Sequence, residues 1–360
     1  MTDVQAPAGR AVGAARRRRV EGGLAARPAD PSPSGPPTLV VGGGGLLGRH
    51  VCSALERSGV SVRTVRVPWH DPVAARAVLR SDLTAFVDSS PDGRVNIAWC
   101  AGAGVVATPA DELETEVALF RGVLDDLRSA LRPTTRLAFF FASSVGGVYA
   151  GSADPPFTEH SEPRPLVAYG RAKLAMEEAL TAFCAETGSV SLLGRITNLY
   201  GPGQKLSKPQ GLVSQLCLAQ LRGTPLPVWV SFDTIRDYLY VGDCAEMVVD
   251  ALDGLHEHAG GAESNAVVKI LATGTGTTLS AVVGEINRVF RRRARLRIPG
   301  AGTPGQARDL RVRSVVWPEL DKRTQTPFSV GVRRIADEIA LAYAAGTSAP
   351  PTHVSEISIR

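Results

Sequence analysis

From Thr38 onward, short apolar runs rich in β-branched residues alternate with longer stretches whose apolar positions recur at helical spacing. The short runs TLVV, VSVRTVRV, VNIAWCA, RLAFFFAS and SVSLLGRI predict buried strands. The longer stretches, which include LLGRHVCSALERSG, a segment around 113–131 and LVAYGRAKLAMEEALTAFCAETG, predict helices between them. Strands and helices that alternate at this spacing predict an α/β fold, in which helices cover both faces of a parallel sheet.

The pattern becomes less regular after Tyr200, where Pro-Gly turns and shorter elements follow. We therefore assign residues 38–200 to the main α/β domain and residues 201–345 mainly to a smaller lobe that covers the substrate. Residues 1–37 are rich in Ala, Gly, Pro and Arg, and residues 346–360 are of similarly low apolar content. Both segments are predicted to be flexible tails, the first because it cannot bury enough apolar surface to fold.

The formal net charge of +5 raises the question of a nucleic-acid partner, so the location of the charge matters. The first 37 residues hold six arginines and three acidic residues, which accounts for +3 and leaves the other 323 residues close to neutral. No basic stripe interleaved with aromatic residues is present in the sequence, so we expect no nucleic-acid binding.

Other classes of protein are disfavoured by apolar runs and cysteines. No apolar run approaches the ~20 residues of a membrane helix, and the first 30 residues lack the apolar core of a secretory signal. The five cysteines are an odd number, widely spaced and without a CxxC pair, which suits a reducing compartment and predicts no metal site. We therefore expect a cytoplasmic protein without a membrane partner.

A glycine-rich turn follows the first predicted strand and opens a helix. Gly42, Gly45 and Gly48 stand in VVGGGGLLGRH at the spacing GxxGxxG. In a strand–turn–helix of this kind the glycines permit a tight turn, close approach of a pyrophosphate and close packing of helix on strand, while the helix N-terminus offers N–H groups to the anion. The sequence thus predicts a dinucleotide site and a Rossmann-type, doubly wound parallel sheet.

The residue at the end of the second strand bears on the choice of dinucleotide. An acidic residue there accepts hydrogen bonds from the ribose hydroxyls of NAD, whereas an arginine meets the 2′-phosphate of NADP. The position is Arg66, Arg63 is nearby, and the next carboxylate is Asp71. We therefore predict NAD(P) as cofactor with a slight preference for NADP, although Arg66 would equally suit a plain surface position in this arginine-rich chain.

A candidate catalytic pair stands in YGRAK. Tyr169 and Lys173 are four residues apart in a predicted helix, so their side chains share a face. An ammonium group beside a phenol stabilises the phenolate, which makes Tyr169 a candidate general acid and base at a hydroxyl or carbonyl oxygen. Ser143 and Ser144 end the strand RLAFFFAS, and the carboxyl end of a parallel strand is where open α/β sheets bind their ligands.

Together these motifs resemble the extended short-chain dehydrogenase/reductase family, and more narrowly its NAD-dependent epimerase/dehydratase branch, which acts on nucleotide sugars. Two later segments sharpen the resemblance. The stretch from Arg195 to Gly203 is similar to the RxxNxYGPG motif of the family, and the stretch that begins Arg236-Asp237 is similar to its RDYxyVxDxA motif. The motifs follow in the expected order over residues 38–345.

The resemblance implies a role for each matching position. Tyr169 would be the proton donor and acceptor, Lys173 would bind the nicotinamide ribose, and Ser144, or its neighbour Ser143, would bond the reacting oxygen. Asn198 and Arg236 would hold the substrate diphosphate. From the residues alone, Asn198 would also suit a turn cap and Arg236 a surface pair with Asp243. The predicted cofactor contacts are Gly42, Gly45, Leu46, Leu47, Gly48, Arg66, Tyr169 and Lys173.

The chain also departs from the family pattern. Dehydratases carry an Asp-Glu pair after the strand-end hydroxyl, but here Val145, Gly146 and Gly147 follow, which disfavours a 4,6-dehydratase. Glu116 replaces a frequent asparagine, which puts one contact on the cofactor side in doubt. The phosphate loop also follows Val40-Val41 rather than a threonine, and has Leu46 and Leu47 where aromatic residues are usual.

Three functions stay open at this point. The favoured one is an NADPH-dependent 4-ketoreductase of a nucleotide sugar, because of Arg66 and because the stretch DLRVRSVVWPELDKRTQTPFSVGVRRI resembles the end of bacterial deoxysugar ketoreductases. The second is an NAD-dependent 4-epimerase, and the third is a dinucleotide-binding protein without turnover. The family also implies a homodimer through two helices of each subunit, here the 113–131 segment and the helix that carries Tyr169.

Overall fold

A computed structural model of the protein describes residues 35–90, 93–102, 104, 108–206, 211–258, 265–297 and 307–345. Apart from residues 35–37, the two predicted tails lie outside the described residues. The elements in chain order are β1 (Thr38–Val41), α1 (Leu46–Arg57), β2 (Val62–Val65), α2 (Pro72–Asp88), β3 (Arg94–Trp99), α3 (Ala110–Ala130), β4 (Arg136–Ser144), α4 (Val145–Tyr149), α5 (Ala168–Thr187), β5 (Val190–Ile196), β6 (Asn198–Tyr200), α6 (Leu212–Arg222), β7 (Leu226–Pro227), β8 (Ile235–Tyr240), α7 (Val241–His258), β9 (Ala266–Leu271), β10 (Gly276–Thr278), α8 (Leu279–Phe290), β11 (Leu296–Arg297), a 3-10 turn (Pro318–Lys322) and α9 (Phe328–Ala344).

The main sheet has six parallel strands in the order β2-β1-β3-β4-β5-β9. The chain moves outward from β1 to β2 and then crosses back to place β3 on the other side of β1. The sheet therefore reverses its winding between β1 and β3, where doubly wound sheets form a ligand crevice at the carboxyl ends of their strands. The predicted α/β fold with a parallel sheet is confirmed.

Alternate residues of each strand enter separate hydrophobic layers. On β4, Phe140 packs with α1 and α7 on one face, whereas Phe139 and Phe141 pack with α2, α3 and α5 on the other. This alternation follows from the two-residue period of a strand. Because both faces are covered, the strands read as continuous apolar runs rather than as alternating ones.

Helix α2 was not among the predicted elements, although its local signals are strong. The Asp71 side chain accepts hydrogen bonds from the backbone N–H groups of Val73 and Ala74, both at 3.0 Å, and Pro72 occupies the first helical position. The buried side chains of Ala75, Leu79 and Leu83 recur every four residues, which places one face of the helix on the sheet.

The chain after β5 contributes to two regions. Helix α7 and strand β9 return to the main sheet, whereas α6, α8 and α9 pack with β6 and β8 around a separate hydrophobic cluster. Strand β8 lies between β6, which is parallel to it, and β10, which is antiparallel. In the part of the chain that is described, no helix combines the length and the apolar character needed to span a membrane.

Close packing at the start of α1 depends on two glycines. Gly42 adopts φ +87°, and a Cβ there would lie 2.7 Å from the backbone nitrogen of Ala101 at the end of β3. A Cβ at Gly48 would collide with the carbonyl group of Gly42. Helix α1 therefore approaches the end of β1 more closely than any residue with a side chain permits.

We expect Gly48→Ala to destabilise the protein by about 1–3 kcal/mol, because the added methyl group forces α1 away from β1. This loss exceeds the ~0.5–1 kcal/mol that alanine would contribute in an unobstructed helix. Gly44→Ala is the matched control, since a Cβ at that position has no atom within 4 Å. Urea unfolding of both variants measures the difference, and equal stabilities would show that the packing has room to relax.

Candidate active site

A cavity of about 960 Å³ lies along the edge of the main sheet where its parallel strands end. It brings together residues that are more than 190 positions apart in the sequence, from the glycine loop to β8. Of the predicted site residues, Gly48 lies behind the loop and the others line the cavity. Those lining residues are Gly42, Gly45, Leu46, Leu47, Arg66, Ser143, Ser144, Tyr169, Lys173, Asn198 and Arg236.

The glycine loop presents backbone N–H groups to the cavity. Helix α1 begins at Leu46, and its N-cap residue Gly45 has no side chain with which to satisfy the first N–H groups. Arg49, one turn further on, donates to the carbonyl oxygens of Gly44 and Gly45 at 3.2 and 3.3 Å and so holds the loop from behind. Free N–H groups at a helix N-terminus fit a pyrophosphate.

Arg66 directly follows β2 and is exposed toward the cavity, as the sequence predicted. Trp69, which is 42% exposed, lines the same end of the cavity. The nearest carboxylate in the sequence, Asp71, is engaged in capping α2. The end of β2 therefore offers a cation and an indole ring to a ligand rather than an acid.

Ser143 and Ser144 both line the cavity but have different partners. Ser144 is the last residue of β4, and its Oγ caps the short helix α4 by accepting from the N–H of Gly147 at 3.2 Å. Ser143 is buried and donates its hydroxyl in a short hydrogen bond to Glu177 on α5. Since the proton of Ser143 is engaged, Ser144 is the hydroxyl with the freer geometry toward a ligand.

Tyr169 and Lys173 lie on one face of α5, as predicted, beside the end of β4. The Nζ of Lys173 donates to the carbonyl oxygen of Ala142 at 3.2 Å and lies 5.0 Å from the ring centre of Phe141 and 5.9 Å from that of Tyr169. A Cβ at Gly147 would lie 3.0 Å from the Tyr169 ring. The glycine that replaces the acidic residue of dehydratases thus leaves room for the tyrosine ring.

Glu116, the unusual residue on α3, lies near the same group of side chains. Its Oε2 accepts from the backbone N–H of Gly104 at 3.2 Å. The point that a Cβ on Gly102 would occupy is 3.2 Å from the Nζ of Lys173 and 3.6 Å from the Oε1 of Glu116. The Glu116 carboxylate and the Lys173 ammonium therefore both lie beside Gly102, and an uncharged amide is more usual in the family at the position of Glu116.

Asn198 and Arg236 line the opposite part of the cavity. Asn198 begins β6 and is exposed, and the adjacent strand β8 carries Arg236. The guanidinium of Arg236 donates to the carbonyl oxygens of Ile235 and Ala307, both at 2.8 Å, and burial lowers its pKa. The alternative pairing with Asp243 does not form, because that carboxylate accepts from the backbone N–H and hydroxyl of Thr326 instead.

The charge of the cavity wall has one sign. Four of the described residues that line it are charged, and all four are basic: Arg66, Lys173, Lys205 and Arg236. Converging cations in a cleft with low-dielectric walls raise the local concentration of anions. The cavity therefore suits ligands that carry several negative charges.

A sequence model of the NAD dependent epimerase/dehydratase family matches residues 38–265. The chain belongs to this family. Its match extends from β1, through the glycine loop and the tyrosine–lysine pair, to the residue before β9. The predicted family membership is confirmed.

Individual relatives include both reductases and epimerases. The chain is 32% identical over 137 residues to the dTDP-4-dehydro-6-deoxyglucose reductase of Escherichia coli, which covers 37% of this chain and 43% of the relative. It is 29% identical over 287 residues to the UDP-glucose 4-epimerase of Azospirillum brasilense, which covers 72% of this chain and 79% of the relative. The chain thus spans less than half of the first relative, and these matches support the predicted class of enzyme.

Solved structures support the fold. The UDP-glucose 4-epimerase of Thermotoga maritima, solved with UDP-glucose, superposes with a TM-score of 0.70 at 21% identity, over 85% of this chain and 99% of that one. The UDP-glucose 4-epimerase of Thermus thermophilus, solved with NAD, gives a TM-score of 0.67 at 22% identity over 84% and 98%. At this level of identity the likeness confirms the Rossmann-type fold alone.

A buried polar network that was not predicted from the sequence lies behind the site. Glu177 and Arg195 form an ion pair at 2.6 Å whose side chains are 5% and 6% exposed. Arg195 also donates to the hydroxyl of Tyr149 at 2.5 Å, and Tyr149 donates to the carbonyl oxygen of Thr158 at 3.0 Å. Burial raises the pKa of Tyr149, so the phenol keeps the proton that it donates.

A second polar centre surrounds Asp237, the acid of the RDY motif. Its buried carboxylate accepts from the Thr197 hydroxyl at 2.9 Å, the Thr273 hydroxyl at 2.7 Å and the N–H of Thr275 at 2.9 Å. The aspartate therefore joins β8 to the end of β5 and to the turn after β9, and so fixes the neighbouring Arg236. The sequence signal for Asp237 was its position directly after Arg236 in the RDY motif.

We expect Arg195→Ala to destabilise the protein by about 3–5 kcal/mol, because it leaves the Glu177 carboxylate buried without its partner. Arg333→Ala, which breaks an exposed i,i+4 pair with Asp337 on α9, should lose less than about 0.5 kcal/mol. Chemical unfolding of the two variants measures both effects. Equal losses would mean that the Glu177 site admits water.

Proposed function

We propose that the chain is an NADP(H)-preferring 4-ketoreductase that acts on a nucleotide-activated sugar. The observation that carries this proposal is the shared cavity. The glycine loop, the Ser144–Tyr169–Lys173 group and the Asn198–Arg236 pair all line it, so a dinucleotide, a reacting carbonyl and a diphosphate each have matching groups in one space.

The residues supply the proton and the orientation for a ketone reduction. When bound, a reduced nicotinamide supplies the hydride to the carbonyl carbon. Tyr169 donates its phenolic proton to the carbonyl oxygen, and Ser144 donates a hydrogen bond to the same oxygen. Lys173, whose ammonium is fixed on the carbonyl of Ala142, stabilises the phenolate that remains and binds the ribose.

The substrate diphosphate is assigned to the far side of the cavity. Arg236 keeps its guanidinium in place through two backbone carbonyls, and Asn198 offers an exposed amide on the neighbouring strand. A fixed guanidinium and an amide donor suit phosphate oxygens. The cluster formed by α6, α8, α9, β6 and β8 would then be the core of the lobe that covers the sugar nucleotide.

The preference for NADP rests on the end of β2. Arg66 faces the cavity there, and Asp71 is engaged in a helix cap, so none of the described carboxylates lines this end of the cavity. A guanidinium binds a 2′-phosphate through charge-assisted hydrogen bonds, and it has no acceptor for the 2′-hydroxyl of NAD.

The second candidate function is an NAD-dependent 4-epimerase. The match to the Azospirillum brasilense epimerase covers more of the chain than the matches to the reductases, although the reductase relatives are slightly more identical. An epimerase must retain its NADH between two hydride transfers, whereas a reductase releases the oxidised cofactor and binds a new reduced one.

A binding protein without turnover is disfavoured because Ser144, Tyr169 and Lys173 are all intact. A homodimer through α3 and α5 stays a prediction.

We expect the protein purified without added dinucleotide to bind NADPH at least tenfold more tightly than NADH. Arg66→Ala should weaken NADPH binding roughly 10- to 100-fold and leave NADH binding unchanged, because one charge-assisted contact is lost. Arg63→Ala is the matched control, since Arg63 stacks on the ring of Phe86 and does not line the cavity. Tryptophan fluorescence titration measures all affinities.

Two results would contradict this choice of dinucleotide. Near-stoichiometric NAD released from the purified protein by denaturation, and identified by mass spectrometry, would favour the epimerase. A preference for NADPH below tenfold would remove the main support for the reductase.

We expect Tyr169→Phe to abolish turnover, because the variant retains the ring but has no proton to donate. Affinity for NADPH should change less than about threefold, since the glycine loop and Lys173 are untouched. The assay follows NADPH absorbance with dTDP-4-dehydro-6-deoxyglucose, the substrate named for the Escherichia coli relative. Unchanged turnover in the variant would exclude this mechanism.

A further inference from the structure

Three polar side chains follow one another along a single face of α5: Tyr169, Lys173 and Glu177. The last two are buried, with 5% and 4% exposure. Lys173 donates to the carbonyl oxygen of Ala142, and Glu177 accepts from the hydroxyl of Ser143. Two successive residues at the end of β4 are therefore bonded to two successive turns of α5.

These bonds set the position of the helix along the strand. Apolar packing between a helix and a sheet is non-directional, whereas a hydrogen bond accepts only a narrow range of distance and angle. Ser144 is the next residue of β4, and Tyr169 is two turns before Glu177 on α5. The bond between Ser143 and Glu177 therefore helps to fix the separation of the two hydroxyls that the proposed reaction needs.

Arg195 holds the Glu177 carboxylate in a fixed orientation. It lies on β5 directly opposite Ser143 in the sheet register, and it contacts both carboxylate oxygens at 2.6 to 3.2 Å. A buried carboxylate without such a partner is costly, and its side chain would turn toward water. With Arg195 in place, Glu177 Oε1 remains an acceptor for Ser143.

We propose that Glu177, held by Arg195, is a positioning residue that fixes the register of α5 against β4 and so places Tyr169 beside Ser144. The role in turnover rests on the proposed function. The register itself does not, and it is measured separately. Neither Glu177 nor Arg195 lines the cavity, so they act on the reaction through Ser143 and α5 rather than through the ligand.

Two variants break the link in different ways. Ser143→Ala removes the bond to β4 and leaves the ion pair intact. The double variant Glu177→Leu/Arg195→Met replaces the buried pair by apolar side chains of similar size, a change that proteins often tolerate without loss of stability. Asp321→Asn is the control, because it breaks the ion pair of the buried Lys269 with the partly exposed Asp321, and neither residue lines the cavity.

Hydrogen exchange of the full-length protein reports how firmly α5 is held against β4, and it needs no substrate. We expect the backbone amides of residues 168–175 to exchange about tenfold faster in both variants, while those of α1 keep their wild-type rates. Asp321→Asn should leave residues 168–175 unchanged. Wild-type exchange at these residues in Ser143→Ala would overturn the proposal, even if the double variant does not fold.

Turnover tests the consequence for the reaction. Misplacement by about 1 Å can lower a rate about 100-fold, so we expect kcat to fall at least tenfold in both variants while NADPH affinity changes less than about threefold. Adding Ser143→Ala to the double variant should lower kcat no further, because both changes break one link. A further loss would show that Ser143 contacts the substrate itself. Absence of turnover in the wild-type protein would contradict the proposed function, while the exchange rates would still decide the register.

Discussion

The contact between α1 and the end of β1 is the constraint on which the site depends. Gly48 lies against the carbonyl of Gly42, and Gly42 in turn lies against the end of β3. Backbone is therefore packed on backbone at the point where the sheet reverses its winding. Because no side chain intervenes, the first N–H groups of α1 reach the cavity beside the ends of the strands. The candidate ligand-binding residues of β2, β4 and α5 therefore line the same cavity as the glycine loop.

A second constraint acts across the sheet and is electrostatic. Glu177 and Arg195 are buried together beneath the end of β4, a setting in which apolar pairs of similar size are often as stable. An apolar pair, however, makes no directional hydrogen bonds that could fix the positions of its neighbours. The carboxylate bonds Ser143, the guanidinium bonds Tyr149, and strands β4 and β5 with helices α4 and α5 are thereby held in one arrangement. Asp237 has the same character on the other side of the cavity, where four donors converge on one buried carboxylate.

Patterns of spacing made much of the fold predictable, and the parts that were missed have definite reasons. The glycine triad and the YxxxK pair are local motifs, so Gly42, Tyr169 and Lys173 could be placed on a turn and on one helix face from sequence alone. Helix α2 carried an Asp-Pro start and an apolar face, so its omission was avoidable. In contrast, the partner of Glu177 is 18 residues away on a strand, and the bond of Ser143 crosses 34 residues. Only the tertiary structure brings such groups together, because the position of a charged residue on a helix does not indicate which distant residue it pairs with.

The basic charge of the cavity wall could not be predicted from the sequence either. The first 37 residues carry most of the net positive charge, yet the wall of the cavity is basic in a folded chain that is close to neutral overall. Arg66, Lys173 and Arg236 come from the end of β2, from α5 and from β8, and no stretch of sequence contains them together. The neighbouring carboxylates accept hydrogen bonds elsewhere: Asp71 caps α2, Asp237 links three segments of the chain, and Asp243 accepts from Thr326. The basic wall of this cavity therefore depends less on the number of basic residues in the chain than on where the neighbouring carboxylates are engaged.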